Sequence, residues 1–183
     1  MMTESKEEDR RPIAVLGAGN LGLAIAKGIV RSGLREPREV LLTRRRVEHL
    51  EEMEAAGFGV SGSNEPAVAA ADIVILAVQP QQALGVVREL SDHWDPSRHI
   101  LVSTATGISI EALRGEVGAE LPVIRAMPNL GIQTLNSMTC LVADRSSEGA
   151  LPRVDALFRG LGETIRIEEG NMAAATALCA CGI

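Results

Sequence analysis

The chain of 183 residues contains no tyrosine, one tryptophan and two phenylalanines. With so few rings it lacks the stacking platform that single-strand nucleic-acid binders use. Basic residues are not in excess either. Eighteen Lys and Arg stand against 24 Asp and Glu, a net charge of −6 with histidine neutral, so the overall field opposes nucleic acid and anionic membrane surfaces. Uninterrupted apolar runs are short, such as Ile73 to Val78, against the roughly 18 residues that a membrane span requires. The opening MMTESKEEDRR has no apolar stretch of the kind a secretory signal carries, and residues 1–11 read as a disordered charged leader. Three cysteines, Cys140, Cys179 and Cys181, cannot build a disulfide framework, which fits a reducing, cytoplasmic compartment. Cys179-Ala180-Cys181 lacks the two-residue spacer of a redox or zinc pair and reads as small buried thiols. His49, His93 and His99 show no metal-ligand spacing with the cysteines, so no metal site is expected. His49 lies in a Glu-rich helical stretch and reads as solvated, and none of the three histidines has a nucleophile assigned to it.

What is present is a chain long enough for one domain with a substantial core, 46% hydrophobic and carrying 18 glycines. Short apolar runs alternate with longer amphipathic segments. Strands are expected at Ile13–Leu16, Val40–Thr43, Ile73–Val78, Ile100–Ser103, Val123–Ala126, Met138–Val142 and Thr164–Ile167. The early runs are continuous, as in strands covered on both faces. Helices are expected at Leu21–Ser32, Val47–Ala56, Glu65–Ala71, Gln81–Leu90, Ile110–Val117 and Glu148–Leu161, with Gly33, Gly57 and Gly118 where helices stop. Repeated strand–helix–strand order means an α/β fold with a mainly parallel, doubly wound sheet. The texture changes near Gly170, where an alanine-rich, nearly all-apolar stretch begins. It would need burial, so residues 170–183 read as the start of a truncated helical domain or a segment packing on another subunit. The simpler alternative is a helix that closes the sheet's last face.

The strongest local signal is Ile13-Ala-Val-Leu16-Gly17-Ala18-Gly19-Asn20-Leu21-Gly22. A buried strand runs into G-x-G-x-x-G and an amphipathic helix follows, the context that a dinucleotide site requires. Gly17 permits the tight turn, Gly19 allows backbone to approach a diphosphate, Gly22 lets helix and strand pack closely, and the helix N-terminus offers N–H groups to phosphate. A glycine-rich turn with no ligand is the competing reading. The next strand ends Leu42-Thr43-Arg44-Arg45-Arg46, without the acid that holds an unphosphorylated ribose. A hydroxyl and guanidinium forks there suit a 2′-phosphate and hence NADP(H). Arg44 is the first choice for that contact and Arg46 the bystander; alternatively some of the three pair with Glu48, Glu51 or Glu52. Small and polar residues also cluster after three later strands, at Ala77-Val78-Gln79-Pro80, Ser103-Thr104-Ala105-Thr106-Gly107 and Ala126-Met127-Pro128-Asn129. Strand ends of this kind are where a nicotinamide ring sits, although ordinary turn chemistry explains each one alone.

Together, in this order and spacing, these motifs and Ala26-Lys27-Gly28 resemble the pyrroline-5-carboxylate reductase family from about Pro12 onward. The resemblance implies a Rossmann-like domain over 12–169, followed by an all-helical dimerisation domain of which this sequence holds only the start. It implies an NAD(P)H-dependent oxidoreductase that reduces the C=N bond of 1-pyrroline-5-carboxylate, or a related cyclic imine, to L-proline in proline biosynthesis, and the arginines after the second strand argue for NADPH over NADH. By the same resemblance the cofactor contacts fall on Leu16 to Leu21, Arg44, Asn64, Ala77 to Pro80, Thr104 to Thr106, and Met127, Pro128 and Asn129. The partners expected are a small imine and a second copy of the chain, with neither nucleic acid nor membrane. This sequence departs from the family at Gln79, where Lys is usual, and at Leu130-Gly131-Ile132, where Thr-Pro-Ala is usual. It departs again at Leu178-Cys179-Ala180-Cys181-Gly182-Ile183, where the family reads Leu-Ser-Gly-Ser-Gly-Pro. These departures let cofactor binding carry over from the family better than imine specificity does. They leave room for a non-catalytic NADP(H)-binding relative, or for the same fold with β-hydroxyacid or F420-type chemistry. Against a β-hydroxyacid enzyme, no lysine stands as acid or base after the Val123–Ala126 strand. No proton-transfer residue is assigned.

Overall fold

A computed structural model describes residues 11–180. The leader expected at 1–11 and the end of the alanine-rich stretch therefore fall almost wholly outside the described residues. So do the Cys181 thiol and, because its side chain is not described, that of Cys179.

Eight strands form one sheet in the order β3-β2-β1-β4-β5-β6-β7-β8. They are β1 Ile13–Leu16, β2 Val40–Thr43, β3 Gly59–Ser61, β4 Ile73–Leu76, β5 Ile100–Ser103, β6 Val123–Met127, β7 Ser137–Ala143 and β8 Gly162–Arg166. Every neighbouring pair is parallel except β6 with β7. The helices between them are α1 Asn20–Arg31, α2 Glu51–Ala55, α3 Glu65–Ala70, α4 Pro80–Glu89, α5 Ile110–Val117, α6 Leu151–Arg159 and α7 Met172–Ala175. None of the described helices is long and apolar enough to cross a membrane.

The continuous apolar runs have a direct cause. Ile13 and Val15 enter one hydrophobic cluster with Ile25, Ile29 and Phe158, whereas Ala14 and Leu16 enter another with Val68, Val87 and Leu113. Successive side chains of a strand point to opposite faces, so a strand covered on both sides is apolar at every position. α1 and α6 cover the first face, and α3, α4 and α5 cover the second. Ser109 caps α5 by accepting from the Ala112 N–H at 3.1 Å, and Gly118 ends that helix with a φ of +90°, which glycine adopts without penalty. Gly33 and Gly57 likewise take positive φ at the ends expected of them.

The differences from the sequence reading are local. β3 was not expected; it is three residues long, half-buried throughout, and carries one aliphatic side chain, so it leaves no periodic signal. β4 stops at Leu76: the Ala77 N–H makes the last ladder bond, to the Leu16 carbonyl at 2.8 Å, and the chain then passes against Gly17 of the β1 turn. The stretch Val47–Ala56 splits into a 3-10 turn and the short α2, and Glu148–Leu161 narrows to Leu151–Arg159. Beyond Gly170, α7 continues as a π-helical turn over Thr176–Ala180. Met172 is buried in the second cluster while Leu178 is 74% exposed, so the segment closes part of the sheet face and leaves an apolar side uncovered.

The topology fixes where a ligand can enter. The chain leaves β1 in one direction through β2 and β3, then returns to β4 on the other side of β1 and continues to β8. At such a reversal the loops beyond β1 and β4 diverge and open a crevice at the carboxyl ends of the strands. Register aligns those ends: Leu16 pairs with Thr43 and with Leu76, and Leu76 pairs with Ser103.

Candidate functional site

The crevice is a cleft of about 850 Å³, within the range of small-molecule and cofactor sites. Its floor is the glycine turn. Gly17 has a φ of +93°, and a Cβ there would stand 2.6 Å from Val78 Cγ1 and 2.8 Å from the Ala77 carbonyl oxygen, so only glycine lets the β1 turn pass under the end of β4. A Cβ on Gly22 would strike the Gly17 carbonyl, which excludes any larger residue from the first turn of α1. Gly19 differs. A Cβ there would meet no atom of the described residues within 4 Å, so their packing gives no reason for a glycine.

The hydrogen bonds of this turn point to an anion. The Gly17 and Ala18 N–H groups donate to the Thr43 carbonyl at 3.1 and 2.8 Å, which ties the turn to β2. The first N–H groups of a helix have no acceptor within it. Here the N-cap Gly19 has no side chain to offer one and the first turn contains no acid. The positive end of a twelve-residue helix is thus left to whatever enters the cleft.

The cleft's second wall follows β2. Thr43, almost fully buried, donates its hydroxyl to Asn64 Oδ1 at 2.5 Å and so fixes that side chain at the start of α3. The Arg44 N–H donates to the Ser61 carbonyl, and Arg44 Nη1 reaches the Ala18 carbonyl at 3.4 Å. Arg44, Arg45 and Arg46 all line the cleft. Among the described residues none of them has a carboxylate within ion-pair distance, so pairing with Glu48, Glu51 or Glu52 does not occur. Arg46, expected as a bystander, lines the cleft with the other two. Open space over Gly19, an uncapped helix N-terminus and three uncompensated guanidiniums fit a dinucleotide that carries an extra phosphate on its ribose.

The structure brings together Gly17, Ala18, Gly19, Thr43, Arg44, Arg45, Asn64, Ala77, Val78 and Gln79, as the sequence suggested. Pro80 begins α4 directly beside them, with Gln79 as its N-cap. The remaining expected positions lie around this lining. The Leu16 side chain is fully buried in the core, and only its carbonyl takes part, as acceptor from Ala77. Asn20 lines a neighbouring groove with Lys27, Arg31 and Gln133. Leu21 packs against the first hydrophobic cluster, and Gly22 against the Gly17 carbonyl. After β5, Thr104 donates both its N–H and its hydroxyl to the Leu76 carbonyl at 3.0 Å, Ala105 is buried, and Thr106 is exposed. After β6, Met127 is in the second cluster, Pro128 is buried, and Asn129 Oδ1 accepts from the Gly131 N–H at 3.0 Å. Neither of these two strand ends is part of the cleft lining, and most of their polar groups are already engaged within the fold.

Sequence reasoning missed the third wall, formed by Gln82, Gly85, Val86 and Glu89 of α4. Their spacing of three, four and seven residues along a helix opening at Pro80 was the available signal. The opposite face of α4 buries Ala83 and Val87, and on pattern alone Val86 reads as part of that core stripe.

Comparison with known proteins agrees with this geometry. Residues 12–107 match the family described as NADP oxidoreductase, coenzyme F420-dependent. Over 183 aligned residues the chain is 38% identical to pyrroline-5-carboxylate reductase 1 of Dictyostelium discoideum, covering 93% of this chain and 33% of that protein. It is 34% identical to pyrroline-5-carboxylate reductase 2 of the same organism, covering 99% of this chain and 66% of the relative. Among solved structures, pyrroline-5-carboxylate reductase of Coxiella burnetii superposes with a TM-score of 0.87 at 25% identity, over 95% of this chain and 65% of that one. A Plasmodium falciparum pyrroline carboxylate reductase with NADP bound shares the fold, with a TM-score of 0.84 at 23% identity over 94% of this chain and 63% of that one. The chain thus spans between one third and two thirds of the length of these relatives. By its matched residues, its sheet order and its glycine turn, the chain belongs to the NADP oxidoreductase, coenzyme F420-dependent family, and it is similar over most of its own length to pyrroline-5-carboxylate reductases.

Proposed function

We propose that the chain binds NADP(H) in the β1–β4 crevice and serves as the cofactor domain of an oxidoreductase. Its substrate is 1-pyrroline-5-carboxylate or a related cyclic imine, reduced at the C=N bond to L-proline or the corresponding amine. The observation that carries the reading is the set of three arginines that have no carboxylate partner among the described residues and line the same cleft as an uncapped helix N-terminus. The names of the relatives supply the substrate.

When bound, the reduced cofactor supplies a hydride. The chain's own residues bind and orient. The first-turn N–H groups of α1 hold the diphosphate, and Thr43, Arg44 and Arg45, joined by Arg46, hold the 2′-phosphate. Asn64, positioned by Thr43, faces the adenosine ribose. Ala77 to Pro80 follow the cofactor toward its nicotinamide end, which Thr104 to Thr106 and Met127 to Asn129 flank. The carbon of an iminium is already electrophilic, so alignment of donor and acceptor accounts for most of the barrier lowering, and no general acid is assigned. Residues 12–169 form the cofactor domain, residues from 170 onward open a helical region, and that region joins two copies of the chain in the cytoplasm.

The test is a titration with NADPH and NADH followed by an assay for NADPH oxidation on adding 1-pyrroline-5-carboxylate. NADPH is expected to bind more tightly than NADH, and its oxidation is expected to depend on the imine. Failure to bind NADPH refutes the cofactor assignment. Binding without oxidation, in protein that includes the helical region, refutes the substrate assignment.

A further inference from the structure

Arg125 stands in the middle of β6, a strand whose five residues are all buried, and it is the one permanently charged residue among the described buried ones. Alternation along the strand puts it on the second face with Val123 and Met127, which share an apolar cluster with Cys140 and Val142 of β7. A guanidinium is almost never buried unless it is paired. Its partner is Glu169, whose Oε1 accepts from Arg125 Nη1 at 2.5 Å. Glu169 lies outside the sheet, 44 residues further along the chain, and opens the short turn between β8 and α7.

Little else fixes that turn. A groove of about 500 Å³ is lined both by Glu111 and Arg114 of α5 and by Ile167 to Glu169, so the turn and that helix are not closely packed there. α7 has four residues and no side-chain cap, too few to hold a direction of its own. Met172 and Ala175 reach the second cluster, but apolar contact is non-directional. An ion pair does specify an arrangement. Exchanging a buried pair for apolar residues is often neutral for stability, so the pair adds little that apolar packing could not, apart from that arrangement. β6 itself runs on to Met127, followed by Pro128 and Asn129. We propose that Arg125 and Glu169 are positioning residues: the pair pins the chain entering the helical region to the strand that ends beside the nicotinamide, and so sets where that region stands over the reacting carbon. The consequence for the reaction rests on the imine-reductase reading; the joint itself does not.

The test uses protein that includes the helical region. Glu169→Gln leaves a buried cation without its counter-charge and is expected to lower the melting temperature. The double variant Arg125→Met, Glu169→Met leaves no charge behind, and its melting temperature is expected within about 3 °C of wild type. In the double variant, amide hydrogen exchange over 168–178 is expected to quicken by about tenfold while β4, β5 and β6 are unchanged. NADPH affinity is expected to stay within about twofold, and kcat/KM for 1-pyrroline-5-carboxylate to fall by about tenfold or more, a split that loss of stability alone does not produce. Unchanged exchange over 168–178, or an equal rise through the sheet, overturns the joint. A wild-type kcat/KM, or a loss of NADPH affinity as large as the loss in kcat/KM, overturns the positioning role. If the wild-type protein does not oxidise NADPH with the imine, the functional reading fails instead, and the exchange measurement still decides the joint.

Discussion

Arg88, Arg114, Arg125, Arg153, Arg159 and Arg166 each have a carboxylate within 4.0 Å, whereas Arg44, Arg45 and Arg46 have none among the described residues. In a chain with six more acids than bases, leaving three adjacent guanidiniums uncompensated costs electrostatic stability unless an anion shares the site. The double variant Arg44→Ala, Arg45→Ala is therefore expected to weaken NADPH by about 10- to 100-fold, the range for charge-assisted hydrogen bonds, and NADH by less than about threefold. Isothermal titration of both nucleotides measures the difference, and equal losses would show that the arginines do not read the 2′-phosphate. Thr43-Arg44-Arg45 was legible in the sequence because the motif is local: strand end, hydroxyl, cations. Arg46 was not, since its place in the lining depends on the path of the following turn. Gly85 and Val86 were not legible either. Only the placement of α4 against β4 decides which of its faces meets the core and which meets the cleft.

At the scale of elements, β1, β2, β5 and α5 begin and end where the residue pattern put them, because burial on both faces or a Ser109 cap with a Gly118 stop marks each of them in the sequence itself. β3 and the split of Val47–Ala56 depend on neighbours and left no such mark. The tie between α3 and the turn before β5 was invisible for the same reason. His99 is fully buried, its Nδ1 accepts from the Asp95 N–H at 2.9 Å, and its Nε2 stands 3.0 Å from the Val68 carbonyl of α3. With Nδ1 accepting, Nε2 carries the proton and donates to that carbonyl, so the ring is neutral. Burial pushes its pKa down, and the nearby Arg98 adds to this. An imidazole of depressed pKa stays neutral in the fold while its unfolded counterpart takes up a proton near the ordinary value of about 6.5. Its contribution is thus complete above about pH 6.5 and is lost as pH falls through the folded value. His99→Gln keeps a donor and removes the titration. Between pH 8 and pH 5 the wild-type melting temperature is expected to fall more steeply than that of the variant. Parallel curves would mean that the ring is not neutral in the fold or that the α3 tie carries no stability.

Across the whole molecule, the reversal of strand order at β1 places a cationic wall, Arg44 to Arg46, and the Gln82, Gly85, Val86 and Glu89 face of α4 on either side of one helix N-terminus, in a chain whose net charge is −6. A nucleotide approaching this chain meets an unfavourable overall field and a favourable local one, and salt acts on the two differently. Salt screens the overall field for both nucleotides, somewhat more for NADPH, which carries the additional phosphate charge. The 2′-phosphate contact is felt by NADPH alone. Arg45 and Arg46 are exposed, so that contact is made at the edge of the cleft where ions compete directly. The screening length shortens from about 14 Å to about 4 Å between ~0.05 M and ~0.5 M salt. The ratio of NADPH to NADH affinity is therefore expected to fall by about threefold or more over that range in potassium chloride, while the affinity for NADH, which lacks the 2′-phosphate, changes less. Titrations at four salt concentrations give the slope. A ratio that stays constant would mean that the cleft discriminates by shape rather than charge, and the three arginines would then need another anion to explain them.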